Sequence, residues 1–366
     1  MKTFQRYFLP GFIFLAVVIG GGYSTGRELV QFFVPAGPWG GVLGMLVTMA
    51  LWSAVLAVSF ELVRLTQSYD YKSFFVALLG RGWFLFEIAY FVLLLLVLAV
   101  IGAAAGAVAA ESFGWPPLAG TMALMALVAL LTFFGSGVIE KVLAFWAGLL
   151  YVVYVLIIIW SFSAFGDRIS ANFASVPVTG NWFMAGVTYA GYNMAAIPAV
   201  FFCLRHQTRA REAITAGLLA GAIAMLPGIL FYVAMMGRYP EIGDQAVPSN
   251  YLLGELHVPW FHALFQVVFF GVLIKTGTAL LHAINERVAK IYELRNATMP
   301  RPLRAGIALG ALALSVFAAS AFGLVTLIAK GYGWLTWYFI AVLVVPVLTL
   351  GVWKIRRAWR GAGVQT

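Results

Sequence analysis

A run of glycines interrupts the first apolar segment of the sequence and is followed by polar residues. Each glycine costs a helix about 1 kcal/mol relative to alanine, so the helix is predicted to break here. A break frees backbone N–H groups, which suit a carboxylate, and carbonyls, which suit an ammonium group or a sodium ion. The alternative is that the glycines only permit close helix packing. The predicted substrate-binding residues of this segment are Gly20, Gly21, Gly22, Tyr23, Ser24, Thr25 and Gly26.

A second weak point lies near the middle of a later apolar segment. There Tyr192 stands between Gly191 and Asn193, and Pro198 follows. Asn193 is predicted to be the N-cap of a second half-helix. Together with Tyr189, these three residues are predicted to form the opposite wall of the binding site. The alternative for the two tyrosines is ordinary core packing with one satisfied hydroxyl each.

Two charged residues, Arg27 and Glu28, follow the first break. Thr25 and Glu28 have the T-x-x-E spacing of a capping box, which predicts that a half-helix starts there. This interpretation favours a structural role for Glu28, with proton coupling as the alternative. Because the two charged residues are adjacent, they point to different faces, and one of them is predicted to line an outer vestibule.

Lys275 lies near the middle of a third apolar segment. An ammonium group at the centre of a bilayer costs upwards of about 2.5 kcal/mol, so it is kept for function or with a partner. The functional hypothesis is a coupling lysine, and the structural alternatives are an ion pair with Glu28 or Glu87, or snorkelling of the side chain to water. Steps of three and four residues place on one helical stripe Gly271, Lys275, Thr278, His282 and Asn285.

The composition indicates a membrane protein. Hydrophobic residues make up 63% of the 366 positions and charged residues 10%, whereas soluble domains carry about 25% charged residues. The net charge of +10 arises from basic residues in short loops, a pattern of membrane topology and not of nucleic-acid binding. The single cysteine, Cys203, excludes an internal disulfide and a CxxC centre. A nucleotide-binding G-x-x-x-x-G-K-[ST] motif is absent, so the protein is predicted not to be driven by ATP. No cofactor is predicted.

Ten apolar segments are long enough to cross roughly 30 Å of hydrocarbon, and we call them spans 1 to 10. Basic residues number eighteen on the side of the two termini and three, Arg168, Arg238 and Lys330, in loops on the other side. The positive-inside rule then predicts a multi-pass inner-membrane protein with both termini in the cytoplasm. The predicted spans are 8–33, 39–64, 83–110, 116–135, 139–163, 181–204, 211–237, 259–290, 305–329 and 333–355.

The two predicted breaks fall in spans 1 and 6, the first of each set of five. An odd number of spans per half inverts the second half relative to the first, and interrupted helices at matching positions indicate a transporter's binding site. We therefore predict one transmembrane domain over 1–366, with inverted repeats at about 8–163 and 181–355.

These features resemble a known group of proteins. Broken spans 1 and 6 in a five-plus-five order look like the LeuT-type fold of the amino acid–polyamine–organocation superfamily. The motif from Gly20 to Glu28 is similar to that of the YkvI-like membrane proteins, and Tyr192-Asn193-Met194 and Asn285-Glu286-Arg287 fit the same group less specifically. The resemblance implies an all-α polytopic membrane protein of ten transmembrane helices. It also implies a carrier for an amino acid or related small molecule, driven by sodium or protons.

The resemblance also implies a cation site. In sodium-coupled LeuT-type carriers, hydroxyls of span 8 and carbonyls of span 1 bind the ion. The residues at those places are Val17, Gly20, Thr276 and Thr278. Lys275 beside them departs from the sodium pattern, which favours a proton-coupled or sodium-independent carrier, with His282 as a further candidate for proton traffic. The alternative functions are a channel and a membrane-embedded enzyme, and the oligomeric state is left open.

Overall fold

The computed structural model describes residues 2–134, 137–293 and 297–361, and within these ranges the chain is helical with no strand. The predicted end of span 4 at residue 135 and one inner basic residue, Arg295, lie outside the described residues. We call the side of the two chain termini the inner side, and the opposite side the outer side.

The described helices supply all ten predicted spans. Seven helical stretches are long and apolar enough to cross a membrane, and one of them, Arg301–Gly361, turns at Gly323 and forms spans 9 and 10. Another, Arg27–Thr66, joins the second half of span 1 to span 2. The shorter apolar helices Leu9–Val18 and Pro117–Phe133 complete spans 1 and 4. The prediction of a polytopic all-α membrane protein is confirmed.

Each of spans 2 to 9 is a single α-helix, except span 6, in which an α-helix is followed by a 3-10 helix. They comprise Gly37–Thr66, Trp83–Phe113, Pro117–Phe134, Gly137–Ser175, Trp182–Asn193 with Met194–His206, Ala210–Met235, Pro259–Glu293 and Arg301–Thr326. Span 10 alternates between π and α geometry through Leu327–Tyr332, Gly333–Phe339, Ile340–Val344, Val347–Gly351 and Val352–Gly361. Two short α-helices connect spans, Tyr71–Leu79 on the inner side and Pro248–Glu255 on the outer side.

Span 1 breaks at the glycines, as predicted. It consists of Lys2–Tyr7, Leu9–Val18, Gly21–Ser24 and Arg27–Phe33. After the second helix, Ile19 has φ −73° and ψ 76°, and Gly20 N donates to Val18 O at 2.7 Å, which is the geometry of an inverse γ-turn. Gly26 then adopts φ 78°, a left-handed conformation that only glycine reaches without steric cost.

The predicted capping box at Thr25 and Glu28 is wrong. The last helix of span 1 begins at Arg27 with Gly26 as its N-cap, and no side chain caps it. Thr25 Oγ1 accepts instead from Arg27 N at 3.1 Å and donates to Gly22 O at 2.6 Å. The left-handed turn at Gly26 moves the helix start two residues past Thr25, and this frees the Glu28 carboxyl for another partner.

Span 6 changes its geometry where the weak point was predicted. It is α-helical through Asn193 and continues as a 3-10 helix from Met194 to His206. Asn193 is not a side-chain cap, because its Nδ2 donates back to Tyr189 O at 3.0 Å within the α-helix. Pro198, which lacks an N–H donor, lies inside the 3-10 segment and cannot complete an α-helical bond there.

Two predicted loops on the outer side are helical. Span 5 runs on to Ser175, two residues before Pro177, so Arg168 lies on a helix. The turn between spans 9 and 10 occurs at Gly323, with φ 69°, and Lys330 therefore lies within span 10. Gly323 determines the turn because it can take a positive φ, whereas the predicted boundary at 330–332 continues as a helix.

The spans pack in two groups. Spans 1, 2, 6 and 7 contact one another, and spans 3, 4, 8 and 9 form a second group; span 5 packs against span 7 of the first group and span 8 of the second. Each group thus contains corresponding spans of the two predicted halves. Small residues allow the closest approach, since a Cβ at Gly217 of span 7 would lie 2.4 Å from the backbone of Ala57 in span 2.

Replacing Gly217 with alanine should therefore destabilise the protein. Its methyl group would force spans 2 and 7 apart, and such overpacking typically costs about 1–3 kcal/mol. Gly310→Ala is the matched control, because an added Cβ there meets nothing within 4 Å. We expect the thermal midpoint in detergent to fall for Gly217→Ala and to stay level or rise for Gly310→Ala. Equal midpoints would contradict the close packing.

Candidate functional site

A cavity of about 470 Å³ lies at the break of span 1. Its walls come from spans 1, 3, 5, 6, 8 and 10. Most of the lining is aliphatic, and this apolar surface surrounds a small number of polar groups, as in typical small-molecule sites. The polar and aromatic side chains that line it are Glu28, Tyr90, Tyr151, Tyr192, Asn193, Lys275, Thr276 and Tyr332.

The cavity extends from mid-membrane toward the inner side. In span 1 it reaches back to Ile13, and in span 3 it covers the first half, from Tyr90 to Val97. In span 8, which runs from the outer to the inner side, it continues down to Ala283. All three stretches lie on the inner half of their spans, so the cavity is an inner-side vestibule that ends at the span 1 break.

Glu28 is the acidic group of this cavity. Its side chain is buried, and Tyr192 Oη donates to Glu28 Oε2 at 2.5 Å, which joins the two broken spans directly. Gly22 makes room for the carboxyl, since a Cβ at that position would lie 2.1 Å from Glu28 Oε1. Within the described part of the chain, Glu28 has no ion pair with a basic residue. A buried carboxyl without a cation is suited to bind one.

Aromatic rings flank the carboxyl. Tyr192 stacks on Tyr332 of span 10, with ring centroids 4.4 Å apart and planes 14° apart. Tyr189 stands at 90° to Tyr192 and is fully buried behind it, outside the cavity lining. The site therefore has a flat, apolar wall with a hydroxyl edge, and Tyr189 supports that wall instead of facing the cavity.

Lys275 is the basic group of the cavity. It is partly buried on span 8, and the described residues provide it with no hydrogen bond or ion pair. Glu87 is paired with Arg287 instead, and Glu28 is bonded to Tyr192. Neither of the two ion pairs predicted as structural alternatives is formed. The cavity thus presents one carboxyl and one unpaired ammonium group to the same space.

The predicted stripe of span 8 only partly faces the cavity. Thr276 lines it beside Lys275, but Thr278 does not, and its hydroxyl donates to Ile274 O at 2.9 Å. His282 is exposed on another face of the helix. The lining follows instead Val272, Lys275, Thr276, Ala279, Leu280 and Ala283.

The candidate cation site is also incomplete. Val17 and Gly20 line the cavity with Thr276, whereas Thr278 lies outside it. The carbonyl of Gly20 accepts from Ser24 N at 2.9 Å, and that of Val18 accepts from Gly20 N. Two carbonyls at the break, including that of Gly20 in the predicted site, are therefore already bonded, and Lys275 lines the cavity beside Thr276.

The remaining predicted residues of the glycine segment lie behind the cavity, toward the outer side. Tyr23, Ser24, Thr25 and Gly26 are buried but do not line it, and Ser24 O accepts from Tyr154 Oη. Of the segment, Gly20 and Gly22 contribute to the lining. Gly191 packs against span 10, where an added Cβ would lie 2.9 Å from Thr336 Cγ2.

The outer side above Glu28 is closed. Arg27 Nη1 donates to the carbonyls of Gly243 and Gln245 at 2.9 and 2.8 Å, which ties the outer loop to span 1. Ser249 N donates to Thr25 O at 2.9 Å, so the Pro248–Glu255 helix covers the break. The structure thus combines an inner-side cavity with an outer-side closure.

Three lining tyrosines were not predicted. Tyr90 and Tyr151 each place a hydroxyl group inside an otherwise apolar span. A hydroxyl in such a segment indicates a residue that faces the protein interior, and this would have marked both as candidates. Tyr332 fell between the predicted spans 9 and 10, because the turn was placed there and not at Gly323. Its position depends on the course of span 10, which the local sequence does not reveal.

The Tyr192–Glu28 bond gives a testable stability difference. Tyr192→Phe removes the donor and leaves a buried carboxyl oxygen unsatisfied, which costs about 1–3 kcal/mol. Tyr332→Phe removes a hydroxyl from the same wall but keeps the ring stack, and no bond to Glu28 is lost. We expect a lower thermal midpoint for Tyr192→Phe alone. Equal midpoints for the two variants would mean that the bond contributes little.

Comparisons with known proteins agree with this architecture. No family model matches the chain. It is 21% identical over 336 residues to the "Uncharacterized membrane protein YkvI" of Bacillus subtilis (strain 168), covering 91% of this chain and 93% of that protein. The predicted resemblance to the YkvI-like membrane proteins is confirmed by this similarity, and the chain is a multi-pass membrane protein.

Solved structures identify the fold. The structure of MhsT in complex with L-phenylalanine aligns with a TM-score of 0.57 at 14% identity, over 96% of this chain and 98% of that one. The inward facing conformation of Mhp1 aligns with a TM-score of 0.58 at 12% identity, over 93% of this chain and 75% of that one. The chain therefore has the LeuT-type fold that the five-plus-five order predicted.

Proposed function

We propose that this protein is a secondary transporter for a small zwitterion of the amino acid class, with alternating access around broken spans 1 and 6. One observation carries the proposal, namely that Glu28 and the unpaired Lys275 face a single cavity of about 470 Å³ at the break of span 1. The fold supports it, because the similar structures are LeuT-type transporters.

The two charges define the ligand chemistry. A substrate ammonium group would pair with Glu28, and a substrate carboxylate would pair with Lys275; charge-assisted bonds of this kind are about twice as strong as neutral ones. The aliphatic lining of spans 1, 3 and 8 offers an apolar surface to the substrate side chain. A ligand with one charge only would leave the other charged group of the cavity without a partner, which is costly for a group that is at least partly buried.

Alternating access would use the contacts already described. A transporter with an inner-side cavity must close that side and open the outer side. The Glu28–Tyr192 bond holds spans 1 and 6 together within one group of spans, and Lys275 of span 8 belongs to the other group. A substrate bound to both Glu28 and Lys275 would bridge the two groups, so its contacts would change when the groups move and its affinity would differ between the two states.

The coupling part of the proposal concerns Lys275. Its ammonium group lies beside Thr276, where resemblance to sodium-coupled carriers implies a sodium site. A fixed cation there would replace the ion, so we propose transport that is independent of sodium, driven by protons or uncoupled. With both termini in the cytoplasm of a bacterial cell, as the basic residues indicate, the cavity faces the cytoplasm.

A membrane channel and a membrane-embedded enzyme are the alternatives. A channel would require a path through the outer side, where Arg27 and the Pro248–Glu255 helix close the break. An enzyme would require a cluster of reactive groups, whereas the cavity holds one carboxyl and one amine at different walls. These observations favour transport.

A ligand screen followed by uptake tests the proposal. Purified protein is heated with amino acids, amines or carboxylates, each in sodium or potassium buffer at several pH values, because a ligand of the native state raises the midpoint. We expect zwitterionic amino acids to raise it equally in both buffers, and proteoliposomes to accumulate the same compound. A shift that requires sodium would refute the role of Lys275, and the absence of any ligand would refute the zwitterion site.

A further inference from the structure

The inner end of span 10 carries a cluster of charge that the transport proposal does not use. The Val352–Gly361 helix continues directly from the membrane span and contains Lys354, Arg356, Arg357 and Arg360. The three arginines are exposed, and so are Trp353 and Trp359. Tryptophans at the end of a span sit at the headgroup level of a bilayer, so the arginines lie at the same depth.

One face of this helix is attached to the protein. Ile355 is buried, and Trp359 Nε1 donates to Glu61 Oε1 at 3.0 Å. Lys354 Nζ donates to the carbonyls of Ala77 and Leu78, at the end of the Tyr71–Leu79 helix. These contacts fix the helix in place, so the arginines are presented on a rigid surface.

The three arginines lack the ion-pair partners that some other inner basic residues have. Arg6 pairs with Glu212 at 2.7 Å, Arg64 with Glu61 at 2.7 Å, and Arg304 with Glu286 at 3.0 Å. By contrast, no described residue forms an ion pair with Arg356, Arg357 or Arg360, and Arg357 only lies over the ring of Trp353.

We propose that the Val352–Gly361 helix binds the headgroups of anionic phospholipids in the leaflet on the inner side. Its three unpaired guanidinium groups offer several donors to phosphate oxygens, and guanidinium pairs with phosphate in a two-bond geometry. Clusters of basic residues directly after a membrane span attract anionic lipid in this way. Because the helix also holds the Tyr71–Leu79 helix and span 2, bound lipid stabilises this inner corner of the fold.

The test uses the full-length protein in neutral detergent micelles, to which phosphatidylglycerol or phosphatidylcholine is added. The variant Arg356→Gln/Arg357→Gln/Arg360→Gln removes the cluster. The control Arg81→Gln/Arg211→Gln/Arg301→Gln removes the same charge from scattered, exposed arginines on the inner side. We expect phosphatidylglycerol, and not phosphatidylcholine, to raise the thermal midpoint of the wild type and of the control.

The cluster variant should need about 100-fold more phosphatidylglycerol to reach half of the maximal rise in thermal midpoint. This estimate assumes that each arginine contributes roughly fivefold to the affinity for the lipid. If that variant does not fold, as judged by helicity and gel filtration, Arg360→Gln alone should show the fivefold change. The proposal is overturned if the cluster variant responds like the wild type, if the control loses the response equally, or if soluble glycerol phosphate raises the midpoint as much as the lipid.

Discussion

Glu28→Gln is expected to reduce uptake of the transported amino acid by at least about 30-fold, the equivalent of about 2 kcal/mol. The substitution keeps the size of the side chain and an oxygen that can accept from Tyr192 Oη, so the link between spans 1 and 6 is retained. What it removes is the negative charge that would face the substrate ammonium group. Uptake into proteoliposomes and ligand-induced thermal shifts measure the two consequences.

Glu61→Gln is the matched control for this prediction. Glu61 is as deeply buried as Glu28, but it lies at the inner end of span 2, bonded to Arg64 and Trp359 and away from the cavity. Its substitution should lower stability and leave the affinity for the ligand unchanged. If Glu28→Gln retains uptake within about threefold of the wild type, the carboxyl does not bind the substrate ammonium group.

Lys275→Met should change function and stability in opposite directions. Loss of the ammonium group leaves the substrate carboxylate unpaired, and uptake should fall at least about 30-fold. The same change removes an unpaired charge from within the membrane, where it costs upwards of about 2.5 kcal/mol, so the thermal midpoint without ligand should rise or stay level. Uptake and unfolding are measured on the same preparations.

Lys330→Met serves as the comparison, because Lys330 is exposed on span 10 and does not line the cavity. It should alter neither uptake nor ligand affinity. A fall in the thermal midpoint of Lys275→Met would support the structural hypothesis, in which the lysine stabilises the fold. Sodium-dependent uptake by the wild type would independently exclude a lysine that replaces the ion.

The features of the fold that the sequence predicted depend on strong local signals. The apolar length of the spans and the glycines of span 1 act within a few residues, and both predictions are confirmed. The capping box at Thr25 and Glu28 was also a local pattern, yet it is wrong. The helix starts after the left-handed Gly26, and the Glu28 carboxyl accepts a hydrogen bond from Tyr192 in the cavity instead of capping the helix.

The site was less predictable, because it depends on contacts between spans. The register of span 8 determines that Thr276 faces the cavity and Thr278 does not, and a polar stripe alone does not define that register. The same applies to Tyr332, which reaches Tyr192 because the chain turns at Gly323 and Tyr332 already lies within span 10. Which side chains face the cavity depends on how the two groups of spans pack together. The sequence of a single span does not determine that packing.

The 3-10 geometry of Met194–His206 has a consequence for the length of span 6. Runs of more than three or four residues are uncommon for a 3-10 helix, and this one has 13. A 3-10 helix rises about 2.0 Å per residue against 1.5 Å for an α-helix, so rewinding this segment would shorten it by roughly 6 Å. Rewinding the inner half of span 6 would therefore bring its two ends about one helical turn closer together, and the chain on at least one side would have to move by that distance.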